Sequence, residues 1–337
     1  MPEKSLDVLS IGNAIVDVLA RTTDAFLEAE GMDKDSMILI DATRAEELYG
    51  RMGPAHEVSG GSAANTAAGL ANLGARTAFI GRVRNDQLGQ VFAHDIRAQG
   101  VRFDSRMTED GPPTARSFIL VTPDGHRTMN TYLGACVELS VDDIDAGLVQ
   151  SARYIHIEGY LFDPPSAREA CLKAMEIAKK AGVQVSVSLA DSFCVERHLD
   201  LFEELARTTI DVLFANEAEI KALYRVESFD AALQTAKSRR GVSALTRSAK
   251  GSVTVEGDDV HVIDAAPVVQ VADTTGAGDL YASGFLFGLL NGVDLASCAR
   301  MAGLAAAEVI SHLGARPETD LKTLMAPILA EAGTEVV

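Results

Sequence analysis

The sequence of 337 residues has no tryptophan, few aromatic residues and a shortage of basic residues. Lys and Arg total 30 against 48 Asp and Glu, so the formal net charge is −18. This balance argues against a nucleic acid or a membrane partner, because phosphate-rich surfaces attract a basic face. No apolar run approaches the roughly 20 residues of a membrane-spanning helix, and no signal peptide is expected. With no CxxC pair among Cys136, Cys171, Cys194 and Cys298, we expect reduced, buried thiols and a cytoplasmic location.

Short apolar, β-rich runs alternate with helical patterns along most of the chain. The predicted strands are Leu6–Ile11, Ala78–Gly81, Tyr154–Ile157, Val183–Leu189, Ile210–Phe214 and Val242–Leu245, and the predicted helices include Ser62–Leu73, Ser166–Ala181 and Val195–Ala206. Such alternation is typical of βαβ units, which predicts an α/β fold with a mostly parallel sheet. The length allows one or two domains. Because no linker-like segment divides the chain, a single domain over residues 1–337 is expected.

Two regions, about residues 14–45 and 111–133, interrupt the alternation. Their strand-like segments are Val16–Arg21, Ser36–Ile40, Thr114–Pro123 and His126–Tyr132. The last two flank Pro123-Asp124-Gly125, a favourable hairpin turn. Because inserted hairpins often cover active sites, we predict that both regions form one small β-sheet lid.

The most informative segment is Asp273-Thr274-Thr275-Gly276-Ala277-Gly278-Asp279, which precedes a helical pattern. A glycine-rich turn entering a helix presents free N–H groups and the positive end of the helix dipole to an anion. Asp279 would fall in the first turn, where it could accept a proton from a hydroxyl, so the segment suits phosphoryl transfer. The alternative is an ordinary helix cap. A dinucleotide motif is disfavoured because Tyr281 stands where its third glycine belongs, and there is no Walker loop.

The segment resembles the C-terminal signature of the PfkB (ribokinase-like) carbohydrate and nucleoside kinases. The N-terminal signature of that family is similar to Gly60-Gly61-Ser62-Ala63-Ala64-Asn65-Thr66, and the opening Gly12-Asn13-Ala14-Ile15-Val16-Asp17 resembles the adenosine kinase branch. The resemblance implies a three-layer α/β/α Rossmann-like domain with a β lid. It also implies ATP as the phosphoryl donor and Mg²⁺ as cofactor, and it leaves a monovalent cation such as K⁺ open.

The resemblance also implies roles for individual residues. It makes Asp279 the catalytic base, and Gly276, Ala277 and Gly278 an anion hole. The acceptor-binding positions are Asn13, Asp17, Gly60, Gly61 and Asn65, with Arg127 near the transferring phosphate and Met129 and Tyr160 in a nucleobase pocket. As isolated residues, Met129 and Tyr160 would more often belong to the core.

On the donor side, the resemblance implies an ATP site and a metal-organising pair. Asn216 and Glu219 match the NxxE element, with Glu219 reaching Mg²⁺ through water. The ATP-binding positions are Asn216, Glu219, Thr246, Arg247, Ser248, Gly251 and Gly303. Ser248 stands where the family usually has glycine. Alternatively, Glu219 is a first-turn helix acid and Arg247 is a solvated loop residue.

These implications together predict transfer of a phosphoryl group from ATP to the 5′-hydroxyl of adenosine, with Asp279 as the base. A sugar kinase of the same family, acting on ribose, fructose or a related sugar, is the first alternative. A non-catalytic nucleoside- or sugar-binding protein is the second. The expected partners are therefore ATP and a small nucleoside or sugar. Because homodimers occur among relatives, the resemblance leaves both a monomer and a homodimer open.

Overall fold

The computed structural model describes residues 4–333. Within that range the strands are β1 (Leu6–Ile11), β2 (Ile15–Arg21), β3 (Met37–Leu39), β4 (Ala55–Gly60), β5 (Thr77–Ile80), β6 (Ala115–Val121), β7 (Arg127–Tyr132), β8 (Ala152–Glu158), β9 (Gln184–Ser188), β10 (Val212–Asn216), β11 (Val242–Thr246), β12 (Ser252–Glu256) and β13 (Asp259–Ile263). The α-helices there are α1 (Asp24–Ala29), α2 (Ala42–Arg51), α3 (Ser62–Asn72), α4 (Gln87–Ala98), α5 (Ala146–Ser151), α6 (Pro165–Lys180), α7 (Ser192–Arg197), α8 (Leu199–Thr208), α9 (Glu217–Tyr224), α10 (Phe229–Ala236), α11 (Ala277–Leu290), α12 (Leu295–Val309) and α13 (Leu321–Glu331).

The main sheet has the strand order β13-β12-β11-β10-β9-β8-β1-β5. The strands from β11 to β5 pair in parallel, and β12 and β13 extend the sheet as an antiparallel hairpin. The predicted α/β class and all six predicted strands are confirmed, with shifts of one or two residues at most of their ends. The hairpin of β12 and β13 was not predicted.

Helices cover both faces of the main sheet because its strands are apolar on both sides. Along β1, Leu9 and Ile11 pack into one core cluster with α5, α6 and α8, whereas Val8 packs into another with α11, α12 and α13. The α11 helix is buried on nearly all sides, which fits its position between α12 and α3. Within residues 4–333, the helices include none with the length and apolar character to cross a membrane. All four cysteines are free and buried.

A second, five-stranded sheet has the order β3-β7-β6-β2-β4. It contains the predicted hairpin, as β6 and β7, and the other two predicted strands, as β2 and β3. It also contains β4, which lies outside both segments predicted for the lid and pairs antiparallel with β2. Phe118 and Leu120 of β6 join a third core cluster with α2, α3 and α4. Whether this sheet moves as a lid stays a prediction.

One predicted helix, Val195–Ala206, is wrong as a single element. The chain instead forms α7 and α8, which meet at His198, where φ is −123° and ψ is 30°. The His198 ring lies 2.8 Å from a carboxylate oxygen of Asp163, a residue far away in the sequence. Such a long-range contact favours the break over continuation of the helix, and hydrophobic periodicity carries no sign of it.

Candidate active site

A cavity of about 1170 Å³ lies at the carboxyl ends of the parallel strands. Ligands of open α/β sheets bind at this edge. Of the residues that the sequence singles out, those lining the cavity are Asn13, Asp17, Gly61, Asn65, Met129, Tyr160, Asn216, Glu219, Thr246, Ser248, Gly251, Gly276, Ala277, Gly278, Asp279 and Gly303. Gly60, Arg127 and Arg247 lie beside it.

The glycine-rich turn enters α11 as its sequence predicts. Gly276 caps the helix with a φ of +76°, a left-handed conformation that favours glycine. The first turn contains Ala277, whose N–H donates to the Thr274 carbonyl oxygen at 3.3 Å, and Gly278 and Asp279, whose backbone N–H groups lie at the cavity end of the helix. The turn therefore has the geometry of an anion site.

Two residues of α3 hold the Asp279 carboxylate in place. Ser62 Oγ donates a hydrogen bond to Oδ1 at 2.6 Å, and Asn65 Nδ2 donates one to Oδ2 at 2.9 Å. Burial raises the pKa of Asp279 above its ordinary value, while the two hydrogen bonds act against that rise. The two glycine-rich motifs of the sequence therefore meet at this carboxylate.

Asp17 of β2 lies on the acceptor side of the cavity, against the glycine turn that precedes α3. A Cβ atom on Gly60 would lie 2.2 Å from Asp17 Oδ2, so the carboxylate needs a glycine there. Gly61 has a φ of +97°, and a Cβ atom on it would lie 2.1 Å from the backbone oxygen of Asn13. The two glycines thus let the turn approach both polar residues closely.

Glu158, at the end of β8, is a site residue to which the sequence analysis gave no role. Its Oε1 accepts hydrogen bonds from the backbone and side-chain nitrogens of Asn13 at 2.9 and 2.7 Å, and its Oε2 accepts one from the Ala63 N–H at 2.8 Å. Burial raises its pKa to about 7, and the three donors act against the rise. Glu158 therefore ties the end of β1 to the start of α3. In the sequence, the indication of such a role was an acidic residue at the end of an apolar strand.

Arg127 connects the second sheet to the glycine-rich turn. Its Nη1 lies 2.7 Å from Asp273 Oδ1, and its Nη2 donates to Thr274 Oγ1 at 3.1 Å. Asp273 itself is buried and accepts hydrogen bonds from the backbone and hydroxyl of Thr275, both at 2.7 Å. The guanidinium is thus held beside the anion site by the residues that shape it.

The loop after β11 supplies one wall of the donor side. Ser248 has a φ of +52°, so it adopts the left-handed conformation that explains glycine at this position in other members of the resembled family. Arg247 points elsewhere, since its Nε donates to Glu217 at 3.0 Å and its guanidinium stacks over Phe229 at 4.0 Å. Its implied contact with ATP stays a prediction.

Asn216 and Glu219 form a reciprocal cap at the start of α9. The Asn216 side chain accepts from the Glu219 N–H, while both Glu219 oxygens accept from Asn216 nitrogens, at 2.9 and 2.5 Å. Burial raises the pKa of Glu219 to about 7. Across residues 4–333, His, Cys, Asp and Glu side chains form no group of three that could hold a metal ion. Because Mg²⁺ keeps several waters, this pair suits a hydrated ion carried by phosphates better than one bound directly by protein.

The acceptor end of the cavity is apolar. Met37 and Leu39 of β3 face it, together with Met129 of β7 and Phe193 of α7. Leu39 is 63% and Phe193 69% exposed, which is unusual for side chains of this size. The sequence predicted Met129 at this place but not the other three residues, because the short edge strand β3 and the short helix α7 contain no recognisable motif.

The profile of the pfkB family carbohydrate kinases matches residues 33–321 of this chain. The chain belongs to this family. This pfkB family kinase is 51% identical in sequence to adenosine kinase from Sinorhizobium meliloti, whose structure is solved. The two structures match with a TM-score of 0.89 over 96% of this chain and 99% of that one. A probable sugar kinase protein from Rhizobium etli is 47% identical, with a TM-score of 0.90 over 99% and 100% of the two chains.

The curated relatives of this pfkB family kinase include sugar kinases. The 5-dehydro-2-deoxygluconokinase of Shouchella clausii is 28% identical over 91% of this chain and 90% of its own. The ribokinase-like fold predicted from the two glycine motifs is confirmed by the solved structures. The protein is therefore a sugar or nucleoside kinase, and its family implies ATP as the donor.

Proposed function

We propose that this kinase transfers the γ-phosphoryl group of ATP to the 5′-hydroxyl of adenosine, giving AMP and ADP. The observation that carries the proposal is the Asp279 carboxylate, held at the anion site by Ser62 and Asn65 of α3. The Asp279 carboxylate thus lies between a phosphate-binding helix end and the acceptor site, which is where phosphoryl transfer needs a base.

The proposed chemistry follows from the placement of the side chains. The hydroxyl oxygen bonds to the γ-phosphorus as the bond from that phosphorus to the β–γ bridging oxygen breaks. The hydroxyl proton passes to Asp279, and ADP leaves. The N–H groups of Gly278 and Asp279 and the Arg127 guanidinium offset the negative charge that develops on the phosphoryl oxygens. Magnesium, when carried by ATP, would supply further charge neutralisation near Asn216 and Glu219.

The acceptor end of the cavity supports a nucleoside. The ribose would meet Asn13, Asp17 and Asn65, and the base would lie against the apolar side chains of β3, β7 and α7. A free sugar has no apolar group to bury there, whereas a purine does. The second sheet would then act as the lid over the acceptor. The adenosine kinase at 51% identity supports the same acceptor, while the sugar kinases among the relatives support the alternative.

A panel of acceptors tests the proposal. ADP formation would be measured with adenosine, other nucleosides, ribose and fructose at the same ATP and Mg²⁺ concentrations. We expect the highest kcat/KM with adenosine. A clear preference for a free sugar would replace the proposed function by the sugar-kinase alternative, and no ADP formation with any acceptor would favour a binding protein.

Replacing Leu39 by alanine should weaken adenosine binding without affecting a sugar. Removing the side-chain carbons that would contact the base should cost about 1–2 kcal/mol, or roughly a five- to thirtyfold higher KM for adenosine. The KM for ATP should not change. Steady-state kinetics with each substrate varied in turn would measure both values.

Ile38→Ala is the matched control for Leu39→Ala. Ile38 is the neighbouring residue of β3, is also exposed, and points to the opposite face of the strand. The control should keep the KM of the unaltered protein. Equal KM values for adenosine in the two variants would contradict a nucleobase site against β3.

Adenosine binding should weaken as the pH falls through neutrality. Burial raises the pKa of Asp17 to about 7, so the carboxylate is ionised above that pH and protonated below it. A protonated carboxyl accepts hydrogen bonds from ribose hydroxyls less well than the ionised form. Affinity should therefore be constant above about pH 8 and fall by up to about tenfold per pH unit below about pH 7.

Calorimetric titration of the ATP-free protein with adenosine would measure this dependence. Adenosine has no group that titrates in this range, so the protein alone sets the profile. Tighter binding at lower pH would contradict an acceptor role for the Asp17 carboxylate.

A further inference from the structure

Three consecutive residues near the C-terminal end of the described chain contact both halves of the site. The Gly314 N–H donates to Asp273 Oδ2 at 3.0 Å. Ala315 packs against Gly276 so closely that a Cβ atom on the glycine would lie 2.8 Å from the Cβ of Ala315. The next residue, Arg316, extends to the glycine turn at the start of α3. The segment thus bridges the anion site and the acceptor site.

The Arg316 guanidinium binds both ends of the acceptor turn, residues 60–63. Its Nε and Nη2 donate to the Ser59 carbonyl oxygen at 3.2 and 2.9 Å, and Nη2 also donates to Ser59 Oγ at 3.0 Å. Its Nη1 donates to the Ala64 carbonyl oxygen at 2.5 Å. From the other side, Asp95 accepts from the Ser59 N–H and hydroxyl at 2.8 and 2.6 Å. One planar group therefore fixes the turn before and after its glycines.

Arg316 is also a cation among carboxylates. Burial lowers its pKa to about 10, against the influence of Asp95, Asp17 and Asp279, so it remains charged at neutral pH. In return, its positive charge lowers the pKa of Asp17 and of Asp279. The residue therefore acts electrostatically on both the acceptor-binding carboxylate and the proposed base.

We propose that Arg316 is a positioning residue, which sets the acceptor turn against the anion site and supplies a positive charge near Asp17 and Asp279. This inference rests on the proposed function and deepens it. The guanidinium makes four hydrogen bonds through three nitrogens, a fork that only arginine provides. It acts through Ser59, Ala64 and the field at the site, without touching the substrate.

Most of the other charged groups around the site are carboxylates, so the positive charge of Arg316 has a large influence there. Asp17 faces Asp279 and Asp273, which both raise its pKa, and Asp279 in turn raises the pKa of Glu158. The other nearby cation, Arg127, pairs with Asp273. Removing the positive charge of Arg316 would therefore raise the pKa of Asp17 and of Asp279, so they would become protonated at a higher pH.

Two variants separate the two effects. Arg316→Lys keeps the charge and loses the fork, whereas Arg316→Gln loses the charge as well. We expect both to bind adenosine at least about tenfold more weakly than the unaltered protein, with little change in ATP affinity. In Arg316→Gln alone, the acid side of the pH profile of adenosine binding should move to higher pH, and activity should recover partly on the alkaline side.

Arg300→Gln is the matched control, because Arg300 is an exposed residue of α12 that pairs with Glu331. It should behave as the unaltered protein. Unchanged adenosine affinity and pH profile in both Arg316 variants would overturn the inference. A lower melting temperature with unchanged affinity would show a purely structural role and would also overturn it. Absence of ADP formation by the unaltered protein with every acceptor would overturn the proposed function, and this inference with it.

Discussion

Asp279→Asn should lower kcat by about 10²–10⁴-fold, the usual contribution of general base catalysis. The amide cannot take the hydroxyl proton, although it has nearly the same shape and can still accept a hydrogen bond from Ser62. Because Asp279 lies in the first turn of α11, its loss should leave the helix and ATP binding nearly intact. Steady-state kcat and equilibrium binding of ATP would measure the two effects separately.

Asp294→Asn provides the matched control for this variant. Asp294 caps the neighbouring helix α12, where its side chain accepts from the Ser297 N–H at 2.9 Å. Asparagine caps helices as well as aspartate does, so this variant should keep normal kcat. Near-normal turnover in Asp279→Asn would exclude Asp279 as the base.

Gly61→Ala is the second change for which we expect a large effect. A Cβ atom there would lie 2.1 Å from the backbone oxygen of Asn13, and the φ of +97° is unfavourable for alanine. Overpacking and backbone strain together should lower the free energy of unfolding by about 2–5 kcal/mol. Because the chain at Asn13 must move, acceptor binding should also be lost. Chemical denaturation and adenosine titration would measure the two losses.

Gly292→Ala is the control that separates the effect of backbone strain from that of the steric clash at Gly61. Gly292 also has a positive φ, +71°, but a Cβ atom on it would meet nothing within 4 Å. It should therefore lose only about 1–2 kcal/mol of stability and keep full activity. Similar adenosine affinities in the two alanine variants would contradict the close packing of the acceptor turn against Asn13.

Much of the site could be predicted because its chemistry is local in the sequence. The Gly276–Asp279 turn and the turn at Gly60 and Gly61 each contain their own backbone requirements, and the structure brings both to one cavity. The alternation of strands and helices likewise predicted the main sheet. Neither motif shows by itself that Ser62 and Asn65 bind the Asp279 carboxylate, since that contact depends on how α3 packs against α11.

The parts that could not be predicted depend on contacts between distant segments. Nothing in the sequence marks Arg316 as part of the acceptor side, and only the folded chain shows that it binds Ser59 and Ala64. In the sequence, Glu158 does not stand out from the other carboxylates, and only the structure shows that it accepts a hydrogen bond from Asn13. The contacts of Arg247 with Glu217 and Phe229 likewise join separate segments, and its contact with ATP stays a prediction.

The great sequence separation of these contacts bears on how the protein is made. Among the bonds that build the site, one joins residues 145 positions apart, Asn13 and Glu158, and another joins residues 257 positions apart, Ser59 and Arg316. Contacts of this kind form slowly, and long chains begin to fold from the N-terminus during synthesis. The β1 strand can therefore pair with β8, and the acceptor turn with Arg316, only after those later segments have been synthesised. A chain that ends before Arg316 would lack the complete site, and we expect it to lack phosphoryl transfer.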